Sequence, residues 1–82
     1  METPKEWGLV GGRLVRDFVF ADFVEAMAFV NKVAERAEAA QHHPDVQIHW
    51  NKVRLELWTH TAGGVTEKDV ALATTIDAIL PA

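Results

Sequence analysis

Four histidines are the side chains of this sequence best suited to acid–base chemistry, and two of them are adjacent. His42 and His43 follow an alanine-rich segment and directly precede Pro44. Proline disfavours the helical conformation in the residue before it, so we expect His43 to be extended while His42 still belongs to the last helical turn. The two imidazole rings would then leave the backbone in different directions from almost the same point. Imidazole exchanges protons near neutral pH, so such a pair suits proton transfer to a bound ligand.

Glu38 is the carboxylate expected to act on this pair. It lies four residues before His42, so on a helix the two side chains share a face and can touch. A carboxylate beside an imidazole orients the ring and favours its protonated form, as does the C-terminus of a helix. The spacing therefore predicts a histidine kept charged as a general acid. Two structural interpretations stay open, in which the histidines cap the helix end and Glu38 is a solvated helix carboxylate.

The other candidate residues also have plausible structural roles. His60 is expected at the end of a strand just before a loop, and alternation places His49 on the strand face away from the core. Asp69 suits the start of a helix. Trp7 and Trp50 are equally compatible with a place in the core.

A metal site is the second chemical possibility, because His42, His43 and His60 offer three imidazole ligands. Adjacent histidines on regular structure are poor chelating neighbours, however, and the sequence has no HExxH motif. It has no cysteine either, which excludes thiol nucleophiles, disulfides and cysteine zinc sites. No Ser-His-Asp arrangement can be recognised, and the segment AGGVT is too short for a phosphate-binding loop and lacks a lysine. We therefore favour acid–base use of the histidines without a metal.

The composition predicts one globular domain over residues 1–82. Hydrophobic residues make up 49% of the 82 residues, charged residues 24%, and the formal net charge is −4. An acidic chain is a poor partner for nucleic acid or anionic lipid, which attract basic surfaces. No run approaches the ~20 apolar residues of a membrane span, and the segment METPKEWGLVGG lacks the apolar centre of a signal peptide. We expect a cytoplasmic protein.

A strand and a long helix are predicted in the first half of the sequence. The segment RLVRDFVF follows a turn at VGG and is typical of a strand. Asp22 suits an N-cap, with Glu25 three residues on as in a capping box. The helix is expected to run to about Gln41. Its predicted apolar stripe follows three- and four-residue spacing and consists of Phe23, Met27, Val30, Ala34 and Ala37.

A hairpin and a second helix are predicted after the histidine pair. Residues 46 to 60 alternate with a period of two, with Asn51 and Lys52 as the candidate turn. Thr66 is the expected N-cap of the last helix, with Asp69 at the third helical position. The predicted buried stripe of that helix is Leu72, Ile76, Ile79 and Leu80. These elements favour an α+β fold, a small antiparallel sheet with two main helices packed on one face.

The spaced histidines and their neighbours together resemble the pterin-4a-carbinolamine dehydratase family, whose members include a mammalian dimerisation cofactor of a homeodomain transcription factor. The segments FVFADFVEAMAFVNKVAERAE, WNKVRLELWTH and GGVTEKDVALATTID are similar to the family's first long helix, central strand pair and last helix, and the similarity runs from about Trp7 to Ile79. Trp50 stands where tyrosine is commoner, and Val65 where leucine is usual. The family pattern is met with every spacing intact by Glu38, His42, His43, Pro44, Trp50, His60 and Asp69.

This resemblance implies a fold, an activity and an assembly. The fold would be a four-stranded antiparallel sheet backed by helices, in dimers and often tetramers, with Trp58, Phe29 and Ala40 as candidate contacts to another subunit. The activity would be loss of water from 4a-hydroxytetrahydropterin, giving the quinonoid dihydropterin during tetrahydropterin recycling after aromatic amino-acid hydroxylation. No metal or redox cofactor is implied, and a hydroxylase of that pathway is a possible partner.

The resemblance also implies roles for the site residues. His42 and His60 would be the acid and base at the 4a-hydroxyl, His43 would bind or orient the pterin and share that role, and Glu38 would tune His42. The implied substrate contacts are Trp7, packed on the pterin ring, Pro44, and Asp69, which would otherwise support the His60 loop or cap its helix. The alternative is a binding module of the same fold, acting in oligomerisation, as an assembly factor or as a transcription cofactor. Such a scaffold would have no reason to keep the histidine set.

Overall fold

Four antiparallel strands form one sheet in the computed structural model, which describes residues 3–80. The strands pair in the order β1-β2-β4-β3, so the two central strands come from different halves of the chain. The elements are β1 (Gly8–Val10), β2 (Arg13–Val19), α1 (Phe23–Ala40), β3 (Asp45–His49), β4 (Lys52–Leu57), a 3₁₀ turn (His60–Ala62) and α2 (Glu67–Asp77). This α+β architecture confirms the expected fold. Within residues 3–80, no helix is long and apolar enough to cross a membrane.

The central strand β4 turns one face to the helices, as its alternation predicts. Val53, Leu55 and Leu57 are buried, and Thr59 continues the same face beyond the strand. The residues between them point to the other face, which the helices leave open. Leu14 and Phe18 of β2 complete the sheet side of the core. The strand alternation therefore fixes which face of the sheet the helices cover.

The apolar stripe predicted for α1 is only partly right, because Ala37 is buried and Val30 packs, partly buried, against the core, but Phe23 and Ala34 are exposed. The buried residues of this helix are Ala26, Phe29, Val33 and Ala37, whereas Phe23 is 48% exposed. Both series keep three- and four-residue spacing, so periodicity alone cannot choose between them. Aromatic packing makes the choice, because the Phe29 ring lies 4.8 Å from the ring of Phe18 between centroids. Phe29 is fully buried, so it cannot contact another subunit as expected.

The hairpin turn between β3 and β4 lies one residue earlier than predicted. His49 pairs with Lys52, so the two loop residues are Trp50 and Asn51 rather than Asn51 and Lys52. Trp50 adopts a left-handed backbone (φ 54°) and is 66% exposed, which excludes the core position considered for it. The side-chain amide of Asn51 donates a hydrogen bond to the backbone carbonyl of Phe20, and the backbone carbonyl of Asn51 accepts one from the Phe20 amide. These contacts to Phe20, the residue after β2, anchor Asn51 in the loop.

The second helix begins and packs largely as predicted. Thr66 is its N-cap, and a reciprocal hydrogen bond between Asp69 and the Thr66 backbone completes a capping box. Leu72 and Ile76 are buried on the core side. Ile79 and Leu80 lie beyond the end of α2 but pack, partly buried, against the core. Because Asp69 is held in the first turn, the cap also fixes one residue of the candidate site.

Candidate active site

A left-handed residue at the end of α1 determines where the two adjacent histidines lie. Gln41 has φ 53° and ψ 40°, and its amide donates to the Glu38 carbonyl while the His42 amide donates to the Ala37 carbonyl. This pair of bonds is the Schellman ending of a helix. The chain reverses at Gln41, so His42 lies outside the helix rather than in its last turn. The predicted pairing of Glu38 with His42 is therefore wrong, because their four-residue spacing on a helix no longer applies.

His42 is instead paired with Asp69 at the start of α2. Its Nε2 atom lies 2.5 Å from Asp69 Oδ1. The other carboxylate oxygen accepts hydrogen bonds from the Thr59 hydroxyl and the Thr66 amide, both at 2.8 Å. Asp69 is fully buried. One buried carboxylate thus joins the end of α1, the end of β4 and the start of α2.

The charge state of Asp69 follows from these contacts. Burial alone would raise the pKa of its carboxyl. The hydrogen bonds from His42, Thr66 and Thr59, with the charge of His42, outweigh burial and hold the pKa of Asp69 below its ordinary value of 3.8. An ionised carboxylate only accepts hydrogen bonds, so Nε2 of His42 must donate to it. The Nδ1 atom of His42 is then the nitrogen left for proton exchange with a ligand.

His42 also borders an open groove between the two helices. The groove has a volume of about 410 Å³, and its lining combines small and apolar side chains with the cationic side chains of Arg36 and Lys68. The side chain of His42 is 13% exposed. The imidazole of His42 is therefore held at Nε2 by a buried carboxylate and remains accessible from the groove.

Glu38 contacts His43, the second histidine of the pair. Its Oε2 atom forms a short hydrogen bond with Nε2 of His43, and both side chains are largely exposed. Glu38, His43 and Pro44 line one side of a small apolar pocket of about 170 Å³. Val46 of β3 and residues of α1 line the rest of this pocket. Each adjacent histidine thus has its own carboxylate, and the rings face different cavities, in agreement with the expected divergence.

His60 is the first residue of the 3₁₀ turn, immediately after Thr59. Thr59 is held by backbone hydrogen bonds with Gly64 in both directions, which close the loop. Its hydroxyl bonds to Asp69, the partner of His42. The imidazole of His60 is exposed and stacks on the indole of Trp58, with 4.0 Å between ring centroids. Asp69 therefore supports the start of the His60 loop in addition to capping its helix.

Two candidate residues lie away from this cluster. Trp7 is buried, and its indole nitrogen donates to Asp77 at the far end of α2. Its ring packs against Phe18, so the structure gives it a core role and presents no ring face to a ligand. His49 points to the open sheet face, where it lines a cavity together with Lys52 and Arg54. Across residues 3–80, no three histidine and carboxylate side chains are grouped to hold a metal ion.

Sequence reasoning missed the contributions of Thr59 and Trp58. The Thr59 hydroxyl donates to Asp69 and accepts from the Thr66 hydroxyl at 2.7 Å. A threonine that continues the inward face of β4 beyond the strand gives no signal of this role. The position of Trp58 does give a signal in the sequence, because a period of two places it on the same face as His60. A tryptophan two residues from a candidate histidine on one strand face indicates contact between the two rings.

Comparison with known proteins shows which family the sequence matches. The family model described as pterin 4 alpha carbinolamine dehydratase matches residues 1–79. A protein of Acidobacterium capsulatum, provisionally named a pterin-4-alpha-carbinolamine dehydratase, is 58% identical over 90% of this chain and 80% of its own. A protein of Thermomicrobium roseum with the same provisional name is 61% identical over 82% of this chain and 72% of its own.

Two solved structures share the fold. A transcriptional coactivator/pterin dehydratase from Brucella melitensis superposes with a TM-score of 0.86 at 37% identity, over 90% of this chain and 81% of that one. A pterin dehydratase-like protein identified as a RuBisCO assembly factor in the alpha-carboxysome superposes with a TM-score of 0.79 at 25% identity, over 95% and 93% of the two chains. The same fold thus occurs in proteins described by a pterin activity and by protein assembly.

Proposed function

The chain belongs to the pterin 4 alpha carbinolamine dehydratase family, and we propose that it removes water from a 4a-hydroxytetrahydropterin by histidine acid–base catalysis. In this reaction the bond between C4a and the hydroxyl oxygen breaks, and a proton from a general acid lets the oxygen leave as water. A base takes the proton of N5, whose electron pair forms the new double bond to C4a. Both steps suit imidazole near neutral pH.

The pairing of His42 with buried Asp69 carries this proposal. A carboxylate that accepts from Nε2 fixes the orientation of the ring and leaves Nδ1 as the nitrogen that exchanges a proton with the substrate. We assign His42 and His60 to the proton transfers at the 4a-hydroxyl and N5. Asp69, not Glu38, orients His42. Because Asp69 is fully buried, its role is to position His42 rather than to touch the substrate.

His43 and its neighbours are proposed to bind the pterin. Glu38 holds Nε2 of His43, and Pro44 lies beside it at the edge of the apolar pocket. An exposed imidazole fixed by a carboxylate can donate or accept at the polar edge of a heterocycle while the proline contacts its face. His43 would therefore orient the substrate and share in proton transfer. Trp7 is not included in the site, since it lies in the core.

The reaction can be tested on chemically generated 4a-hydroxytetrahydropterin followed by ultraviolet absorbance. We expect the protein to accelerate the dehydration above the spontaneous rate, and to do so equally with a chelator present. Loss of the acceleration in chelator would indicate a metal-dependent reaction instead. No acceleration at all would contradict the dehydratase proposal.

A protein-assembly role is the second candidate, favoured by the likeness to the RuBisCO assembly factor. A scaffold would not need a buried carboxylate to orient a histidine, and here both adjacent histidines have carboxylate partners. If the protein does not accelerate the dehydration but binds a second purified protein, the assembly role would be favoured. A catalytic rate that depends on His42 favours the dehydratase.

We further propose that the protein works as a homodimer or homotetramer in the cytoplasm, in tetrahydropterin recycling that serves an aromatic amino-acid hydroxylase. Several large apolar side chains are exposed on the single chain and could be covered by a second copy. They are Leu9, Val10, Val19, Phe23, Val24, Val46 and Trp50. Sedimentation equilibrium would measure the assembly directly.

A further inference from the structure

We propose that Trp58 is a positioning residue that fixes the imidazole of His60 for proton transfer, an inference that rests on the proposed function. The two rings stack with 4.0 Å between centroids and 27° between planes. His42 and His43 are each held by a carboxylate. The ring of His60 forms no side-chain hydrogen bond or ion pair within residues 3–80, so the indole is its principal restraint there.

An exposed histidine needs such a restraint to act as an acid or base. Free rotation about its side-chain bonds would spread the imidazole over several rotamers, whereas a proton donor must lie within hydrogen-bond distance of the reacting atom. Stacking uses the face of the ring, while the nitrogens of an imidazole donate and accept in the ring plane. Trp58 can therefore hold His60 without occupying either of the nitrogens that would meet the substrate.

Trp58 is itself fixed to the neighbouring strands. Its indole nitrogen donates to Asp45 of β3 at 3.3 Å. The guanidinium of Arg13 in β2 lies over the ring, 4.7 Å from its centroid, as a cation–π contact. Arg13 is held in turn by Glu56 of β4 at 2.9 Å. Contacts to two strands, with Arg13 held by a third, thus set the indole and through it the plane of the His60 ring.

The test compares Trp58→Leu with Trp58→Phe, since phenylalanine keeps an aromatic face and leucine does not. The first measurement is the NMR shift of the His60 ring protons, assigned with His60→Ala. We expect an upfield ring-current shift in the wild type that Trp58→Leu loses and Trp58→Phe largely keeps. The second measurement is turnover. We expect Trp58→Leu to lower kcat by about 10- to 100-fold, the effect of a misplaced catalytic group, with a smaller change in KM and with most of kcat retained by Trp58→Phe.

Asp45→Ala provides a second variant that leaves both rings in place. It removes the acceptor of the indole N–H at a half-exposed edge-strand position. Relative to the wild type, we expect the His60 ring protons to move in the same direction as in Trp58→Leu but by less. We also expect a smaller loss of kcat than in Trp58→Leu. This variant decides the question if Trp58→Leu does not fold.

The outcomes separate this inference from the proposed function. An active wild type whose kcat is unchanged in Trp58→Leu, or whose His60 ring protons do not move, overturns the positioning role alone. Equal loss of kcat in Trp58→Leu and Trp58→Phe also contradicts it, because one of these variants keeps the stack. A wild type without dehydratase activity overturns the proposed function, and this inference with it.

Discussion

At the scale of single residues, the site depends on one buried carboxylate. Asp69 accepts hydrogen bonds from His42, Thr59 and Thr66, which belong to three different segments of the chain. A buried donor left without an acceptor costs about 1–3 kcal/mol. Part of that cost is recovered where water can reach the donor, as it can at His42. Asp69 is therefore important for stability as well as for orienting a histidine.

Replacing Asp69 with alanine should lower the free energy of unfolding by about 2–4 kcal/mol, since several donors lose their acceptor at once. Urea unfolding followed by circular dichroism measures the change. Asp17→Ala is the control, because that carboxylate is exposed and pairs with Arg54 at the surface, where ion pairs contribute little. Equal destabilisation by the two variants would contradict the claim that the hydrogen bonds to Asp69 stabilise the fold.

The depressed pKa of Asp69 also predicts how stability depends on pH. Its pKa in the folded protein lies below the ordinary value of 3.8. The stabilisation is therefore complete above about pH 4 and is lost as the pH falls through the folded pKa. Urea unfolding between pH 2.5 and pH 6 (about the range of carboxyl titration) should show a weaker acid dependence for Asp69→Asn than for the wild type. The same acid dependence in both proteins would show that Asp69 titrates normally.

The sequence and its family resemblance single out candidate site residues but do not pair them. The acid–base hypothesis for Glu38, His42 and His43 follows from their types and spacing, whereas site roles for His60 and Asp69 are implied by the resemblance. The partners could not be predicted, because a left-handed glutamine at the helix end sends His42 to Asp69 and leaves His43 beside Glu38. Glycine or asparagine would have signalled that conformation, whereas glutamine gives no such signal.

At the scale of elements, the end of α1 is the feature that organises the site. Gln41 adopts a left-handed backbone conformation that glycine adopts most readily. The Schellman turn formed there ends the helix before both histidines. Gln41→Gly should therefore raise the free energy of unfolding by about 0.5–1 kcal/mol, because a side chain in the left-handed conformation costs about 1–2 kcal/mol and the greater freedom of glycine in the unfolded chain offsets part of that gain. The site should keep its geometry, so turnover should stay close to that of the wild type.

Ala39→Gly is the matched control for that substitution. It lies two residues earlier, inside α1, where glycine destabilises a helix by about 0.5–1 kcal/mol relative to alanine. Thermal or urea unfolding of the two variants should therefore give changes of opposite sign. Destabilisation by both glycines would show that Gln41 does not adopt the left-handed conformation in solution.

Elements with a local signal were predicted well, whereas packing choices were not. Asp22 and Thr66 start the helices as their capping patterns indicate, and the alternation of β4 gave the buried face of the sheet. The buried face of α1 is predicted only in part, because two apolar series share the same period there. Only contact with the aromatic rings of β2 and the segment after it selects Phe29.

At the scale of the whole molecule, a chain of 82 residues has a small core and several exposed large apolar side chains. A chain of this size buries only about 60% of the surface that it exposes when unfolded, so association of subunits would add to its stability. If the proposed homo-oligomer forms, the melting temperature should rise with protein concentration. Calorimetry over a 100-fold range of concentration (about two decades, enough to shift such an equilibrium) would show it. A constant melting temperature, with a mass of 9.1 kDa in solution, would contradict the oligomer.

The most direct test of the central claim is the dehydration rate of 4a-hydroxytetrahydropterin with the wild type, His42→Ala and His49→Ala. His42 is paired with buried Asp69, whereas His49 lies on the open sheet face. We expect His42→Ala to lower the catalysed rate by at least about 100-fold, the usual contribution of a general acid or base. His49→Ala should leave the rate unchanged. Equal rates for the wild type and His42→Ala would contradict the proposed mechanism.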